Sequence, residues 1–173
     1  MSSATPTIDI VLDGFFAEQL SRSARGGPTG MRHRRLRSLE LRLRDYLEAE
    51  GDGVLVTSDF ELLAIERQFD PVGSFCRTMH SDDLVFALPG FLERSVPTDM
   101  ADIRLQLSTI GALTGWLIRR RLIDQTGLEC VLLDVGAALR RGRAGLRARR
   151  AALGAATAPL GAAAAPQLGS GRG

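Results

Sequence analysis

Arginine is the side chain in this sequence most able to do chemistry. There are 22 basic residues among 173, and every one is Arg; Lys is absent. The arginines fall in groups. Arg32, Arg34, Arg35 and Arg37 form the first. Arg119, Arg120 and Arg121 form the second. Arg140, Arg141, Arg143, Arg147, Arg149 and Arg150 form the third. A guanidinium is permanently charged and presents a planar fork of donors, which suits phosphate and carboxylate groups. Such groups point to a polyanion or to acidic segments of a protein. The preference for Arg over Lys carries less meaning, because a GC-rich genome encodes a chain rich in Arg, Ala and Gly.

Other chemistry is thinly represented. Cys76, His80, Asp82 and Asp83 lie close together in the chain, and a Cys–His pair is a nucleophile and base in other settings. Here the local sequence reads as a helix end followed by a helix start, and the two aspartates suit the positive end of a helix dipole. No catalytic residue is assigned. Cys76 and Cys130 are 54 residues apart with no second ligand nearby, so they read as two small buried thiols rather than a metal or redox motif. His33 reads as a solvated side chain within the first Arg group. Two isolated histidines make no metal site. There is no glycine-rich phosphate loop, so no nucleotide cofactor is implied. No cofactor and no metal are expected.

Charge is segregated along the chain. Residues 1–44 carry a net +4, residues 45–102 a net −10, residues 103–139 a net +1 and residues 140–173 a net +7. Either the basic ends fold back on the acidic middle, or they face a polyanion.

The elements that must position these groups are helical. Leu occurs 26 times, against 15 for Ile and Val together, and this favours helix over sheet. Leu12, Phe15, Phe16 and Leu20 give a first helix, with Thr7 placed to cap it. Gly26-Gly27-Pro28 marks a loop. Leu36, Leu39, Leu43, Tyr46 and Leu47 give a second helix ended by Gly51 and Gly53. Ser58 with Glu61 has capping-box spacing for a short third helix stopped by Pro71, with Thr57 as an alternative cap. Val54 to Val56 reads as a linker packed on the core. Ser81 with Asp82 and Asp83 starts another helix, which Pro89-Gly90 should break or kink. Thr98, Asp99 and Asp102 start a long helix with a stripe of Ile103, Leu107, Ile110, Leu113 and Leu117. Its Gly111 and Gly115 would let a neighbouring helix approach closely. Leu128, Leu132, Val135 and Leu139 give a last helix that continues through the third Arg group.

The sequence therefore predicts an all-α fold, a compact bundle of about five to six helices. A flexible 1–7 precedes the helical domain 8–139. An Arg-rich helical extension follows over 140–153, then a disordered Ala/Gly/Pro tail over 154–173. Leu105 to Ile118 is too short and too polar to cross a bilayer, and the first residues do not read as a signal peptide. A soluble, cytoplasmic protein with no membrane partner is expected.

Three phrases resemble one family. Phe15 to Leu20, the Arg32–Leu47 stretch RHRRLRSLELRLRDYL and the Ile110–Asp124 stretch IGALTGWLIRRRLID are similar to the opening, second and closing helices of a known domain. This is the N-terminal core-binding, SAM-like domain of tyrosine recombinases and phage integrases. The resemblance spans roughly residues 8–124 and implies a helical module that clamps DNA. It departs from the family over 59–92, which is longer and more acidic. No catalytic domain follows, so recombination is not implied. The leading expectation is a non-enzymatic DNA-binding protein using Arg32, Arg34, Arg35, Arg37, Arg119, Arg120, Arg121, Arg140, Arg141, Arg143 and Arg147. The rival is a helical interaction or scaffold protein, in which the acidic middle meets a protein partner or the basic ends of a second copy.

Overall fold

A computed structural model describes residues 5–25 and 30–156. Among these residues the chain forms seven α-helices and one 3-10 turn, with no strand. The helices are α1 Ile8–Arg25, α2 Gly30–Glu50, α3 Thr57–Phe69, α4 Ser74–Thr78, α5 Ser81–Arg94, α6 Met100–Arg119 and α7 Glu129–Ala156. The all-α expectation holds. The helix beyond the predicted five or six is the five-residue α4, too short to show a period in sequence.

Apolar residues at helical spacing build one core. Ile8, Val11, Leu12, Phe15 and Phe16 of α1 are buried, as are Leu36, Leu39, Leu43 and Leu47 of α2. The α6 stripe is buried as predicted, and Trp116 joins it. Trp116 Nε1 donates to Glu18 at 2.7 Å, and its ring meets Phe15 edge-on at 5.9 Å; together they tie α6 to α1. Helix α7 packs on α5 and α6. Pro6 and Thr7 are held rather than free. The Ser81 N–H donates to the Pro6 carbonyl, the Ile8 N–H donates to the Met79 carbonyl, and Thr7 bridges His80.

Several local expectations are corrected. Helix α3 starts at Thr57 with Val56 at its N-cap and no side-chain cap bond. Ser58 already lies in the first turn, so its hydroxyl reaches only the adjacent Asp59, at 3.5 Å. The cap of α5 is His80, one residue before the predicted Ser81; its N–H donates to Asp83 Oδ2 at 2.9 Å. Ser81 is buried instead, and its hydroxyl donates to the Leu122 carbonyl. At α6 the cap is Asp99, whose carboxylate accepts from the N–H groups of Ala101 (2.8 Å) and Asp102 (3.0 Å).

Pro89-Gly90 does not break α5, which runs unbroken from Ser81 to Arg94. An internal proline costs about 3 kcal/mol, whereas each large apolar side chain buried contributes about 1.5–3 kcal/mol. Leu84, Val85, Leu88, Phe91 and Leu92 are all buried on this helix. Gly90 is needed for a close approach: a Cβ there would lie 2.3 Å from the Tyr46 hydroxyl oxygen. Gly51 has the same role under Phe75, whose ring would be 2.4 Å from an added Cβ.

Cys76 is buried as expected, but Cys130 is exposed, because it follows Glu129 on the solvent side of α7. Helix α7 runs on to Ala156, past the Gly154 at which disorder was predicted. The rest of the predicted tail, the Gly26-Gly27-Pro28 loop and residues 1–4 lie outside the described residues. No helix among the described residues is long and apolar enough to cross a membrane.

Candidate nucleic-acid interface

The three Arg groups meet different surroundings. In the first group, two of the four charges have a carboxylate of the same chain within ion-pair distance. Arg35 lies 3.5 Å from Asp99 and 3.4 Å from Asp102, in the first turn of α6. Arg37 pairs with the buried Glu40 at 2.9 Å. Arg34 donates to the Gly30 carbonyl at 3.2 Å, and Arg32 is exposed. Further along α2, Arg44 pairs with Asp9, Asp13 and Glu40, and Arg42 donates to Gln106 at 3.1 Å. These contacts explain why arginines are tolerated at a helix N-terminus, where the dipole disfavours them. They answer the acids of α1, α2 and α6.

The second group ends α6. Arg120 stacks over Trp116, 4.7 Å from the ring centroid, and lies 3.6 Å from Glu18. The Trp116 hydrogen bond, and then the nearby arginines, hold the Glu18 carboxyl below its usual range despite some burial cost. Arg121 has φ +54°, the one positive-φ side chain among the described residues. Its N–H donates to the Ile118 carbonyl, and that of Leu122 donates to the Leu117 carbonyl, both at 3.1 Å. This is a Schellman ending with Arg at the position that favours Gly. Arg119 is exposed.

The third group is built differently. Arg140, Arg143, Arg147 and Arg150 are spaced i, i+3, i+7 and i+10, so they share one face of α7 over about 15 Å of helix. All four are exposed, and none has a carboxylate within ion-pair distance among the described residues. Arg141 points elsewhere and pairs with Glu93. Arg149 lines a groove with Pro97, Ile103, Gly142 and Leu146.

Close helix packing positions this stripe. A Cβ on Gly142 would lie 2.5 Å from Leu107, so only glycine lets α7 press onto α6 there. Opposite, Gly111 faces Leu139 and Arg143 at ordinary contact distances. Half of the predicted glycine pair therefore serves packing. Gly115 has only Arg119 of its own helix nearby.

Two of the three groups share one end of the bundle. The groove with Arg149 and a second groove lined by Arg34, Arg35, Ser38 and Arg42 both include Pro97. Arg119 to Arg121 sit at the other end of α6. The predicted residues thus form no single patch. Of the two third-group arginines not among the expected contacts, Arg150 falls on the Arg140 face at i+10, whereas Arg149, at i+9, lies on the opposite side.

The Cys76–His80 pair offers no activated thiol. Burial, the largest influence, pushes the Cys76 thiol up to about 12. At neutral pH it is fully protonated. Among the described residues no three His, Cys, Asp or Glu side chains are grouped to hold a metal. Comparison with protein-family models, with curated proteins and with solved structures finds no match for this chain.

Proposed function

We propose that this chain is a non-enzymatic DNA-binding helical protein that contacts the phosphate backbone through the exposed arginine stripe of α7. The observation that carries this reading is the stripe itself. Arg140, Arg143, Arg147 and Arg150 lie on one face with no carboxylate to answer them among the described residues. Like charges at i, i+3 and i+4 on a helix cost a few tenths of a kcal/mol per pair. A polyanion removes that cost and releases counterions on binding. Arg34, whose groove shares Pro97 with that of Arg149, extends the basic surface. Arg35 and Arg37 are spent on internal pairs and are left out of the interface. The resemblance to the integrase core-binding domain belongs to this proposal, with the contact moved from α2 to α7. Phosphate contacts give affinity without reading sequence, and no base-reading residue is assigned.

The test is fluorescence anisotropy of the full chain with a labelled duplex across a salt series, beside the variant Arg140→Gln/Arg143→Gln/Arg147→Gln/Arg150→Gln. Four phosphate contacts contribute about −3.6 to the log–log salt slope. The variant should lose most of that slope. A wild-type chain that leaves the duplex unbound at low salt overturns the proposal.

A further inference from the structure

Helix α3 carries an apolar stripe on the wrong side for the core. Its inward side chain is Leu63, fully buried. Leu62, Ile65 and Phe69, spaced i, i+3 and i+7, are 49%, 55% and 82% exposed. These three fall on one face of α3 over about 10 Å, turned away from Leu63. Val72, just beyond the helix, is also exposed. Helix α3 packs chiefly on the short α4, and among the described residues this face stays open to solvent. An isolated exposed apolar residue needs no explanation, but a contiguous helical stripe marks an interaction surface.

Acids border the stripe. Glu61 flanks it on one side and Glu66 on the other, with Asp59 and Asp70 at the ends of the helix. Over residues 57–70 there are four carboxylates and one arginine. Glu66 and Asp70 share Arg77, at 3.6 Å and 3.1 Å. Glu61 has no ion pair among the described residues. The face therefore suits an apolar helix flanked by cations.

The chain itself supplies such a helix. Over residues 140–156, α7 has six arginines and no acid. Ala144, Ala148, Ala151 and Ala155, spaced i, i+4, i+7 and i+11, form a small-residue face, and all four are exposed. Arg140 and Arg147 border this face on one side and Arg141 on the other. Large apolar side chains of α3 against alanines of α7 give a close helix contact, with Glu61, which has no ion pair among the described residues, facing Arg140 and Arg147 along one edge. We propose that the α3 face docks the α7 extension of a second copy of this chain.

The contact joins two different surfaces, so it is head-to-tail. It is independent of the DNA reading, although Arg140 and Arg147 serve both. Duplex DNA and a second copy should therefore compete for α7.

The test is sedimentation velocity of the full chain over a concentration series, with two variants at exposed positions, Phe69→Ser and Ala148→Asp. Circular dichroism of each confirms that the fold is kept. Wild type should self-associate. Loss of a buried Phe should weaken association by about 10- to 100-fold, and a buried unpaired Asp on the alanine face should do at least as much. At concentrations where wild type is associated, neither variant alone should be. Their mixture should form a 1:1 dimer, because one supplies an intact α3 face and the other an intact α7 face. A monomeric wild type overturns the proposal. So does self-association that Phe69→Ser leaves intact. Association lost in Phe69→Ser but kept in Ala148→Asp shows that something other than α7 covers α3, and also overturns it. A mixture that stays monomeric does the same.

Discussion

The division between neutralised and unanswered arginines has a measurable consequence for DNA binding. Consider Arg35→Gln beside the double variant Arg143→Gln/Arg147→Gln. Arg35 sits 3.5 Å and 3.4 Å from two carboxylates, so its charge is already compensated before DNA arrives. Arg143 and Arg147 have no such partner among the described residues. Each phosphate neutralised by an unpaired cation contributes about −0.9 to the slope of log affinity against log salt. The double variant should flatten the slope by about 1.8. Between 50 and 200 mM salt this corresponds to a loss of affinity about 12-fold smaller than for wild type. Arg35→Gln should leave the slope unchanged. Its cost should appear as lower stability instead, about 0.5–1 kcal/mol for a partly exposed pair, read by chemical denaturation. Anisotropy with one random duplex at four or more salt concentrations measures both slopes. If Arg35→Gln flattens the slope as much as the double variant does, internal pairing does not decide which arginines meet DNA. If the double variant keeps the full slope, α7 is not the contact surface.

Other consequences concern the fold. Gly51→Ala drives a methyl into the buried Phe75 ring and should cost about 1–3 kcal/mol in thermal unfolding, while Gly53→Ala, in open space, should not. Arg121→Gly should stabilise by about 1 kcal/mol, because glycine occupies φ +54° without strain; a lower melting temperature would contradict the Schellman assignment. Cys130 should react with a thiol reagent in the native protein, whereas Cys76 should react only after unfolding, since it is buried with its thiol pushed up to about 12. Burial, with Asp83 and Asp124 nearby, raises the Asp82 carboxyl above its usual value. Its Oδ1 is buried without a partner. A raised carboxyl favours the fold while protonated and loses that advantage as pH rises. Asp82→Asn should therefore stabilise at neutral pH, with the gain disappearing below about pH 4.

The sequence determined the helices, because a 3.6-residue period needs only local spacing to be seen. Leu36, Leu39, Leu43 and Leu47 announced the buried face of α2, and Ile103 to Leu117 that of α6. It also announced that charge is segregated. Caps were legible only to within a residue, since His80, Ser81 and Asp83 satisfy the same rules in adjacent registers and packing chooses among them. Pro89 was misleading because a local cost of a few kcal/mol is outweighed by burial that the sequence does not display.

What only the tertiary structure decided is which charges are answered. Arg35 and Arg147 are the same residue type in similar helical settings. One lies against Asp99 and Asp102, 64 and 67 residues along the chain, and the other lies against no acid among the described residues. The α3 stripe was missed for a related reason. Phe60, Leu62, Leu63, Ile65 and Phe69 spread over more than half of the helix circumference, so the spacing alone does not say which side the core takes. The core took Leu63 and left Leu62, Ile65 and Phe69 facing outward.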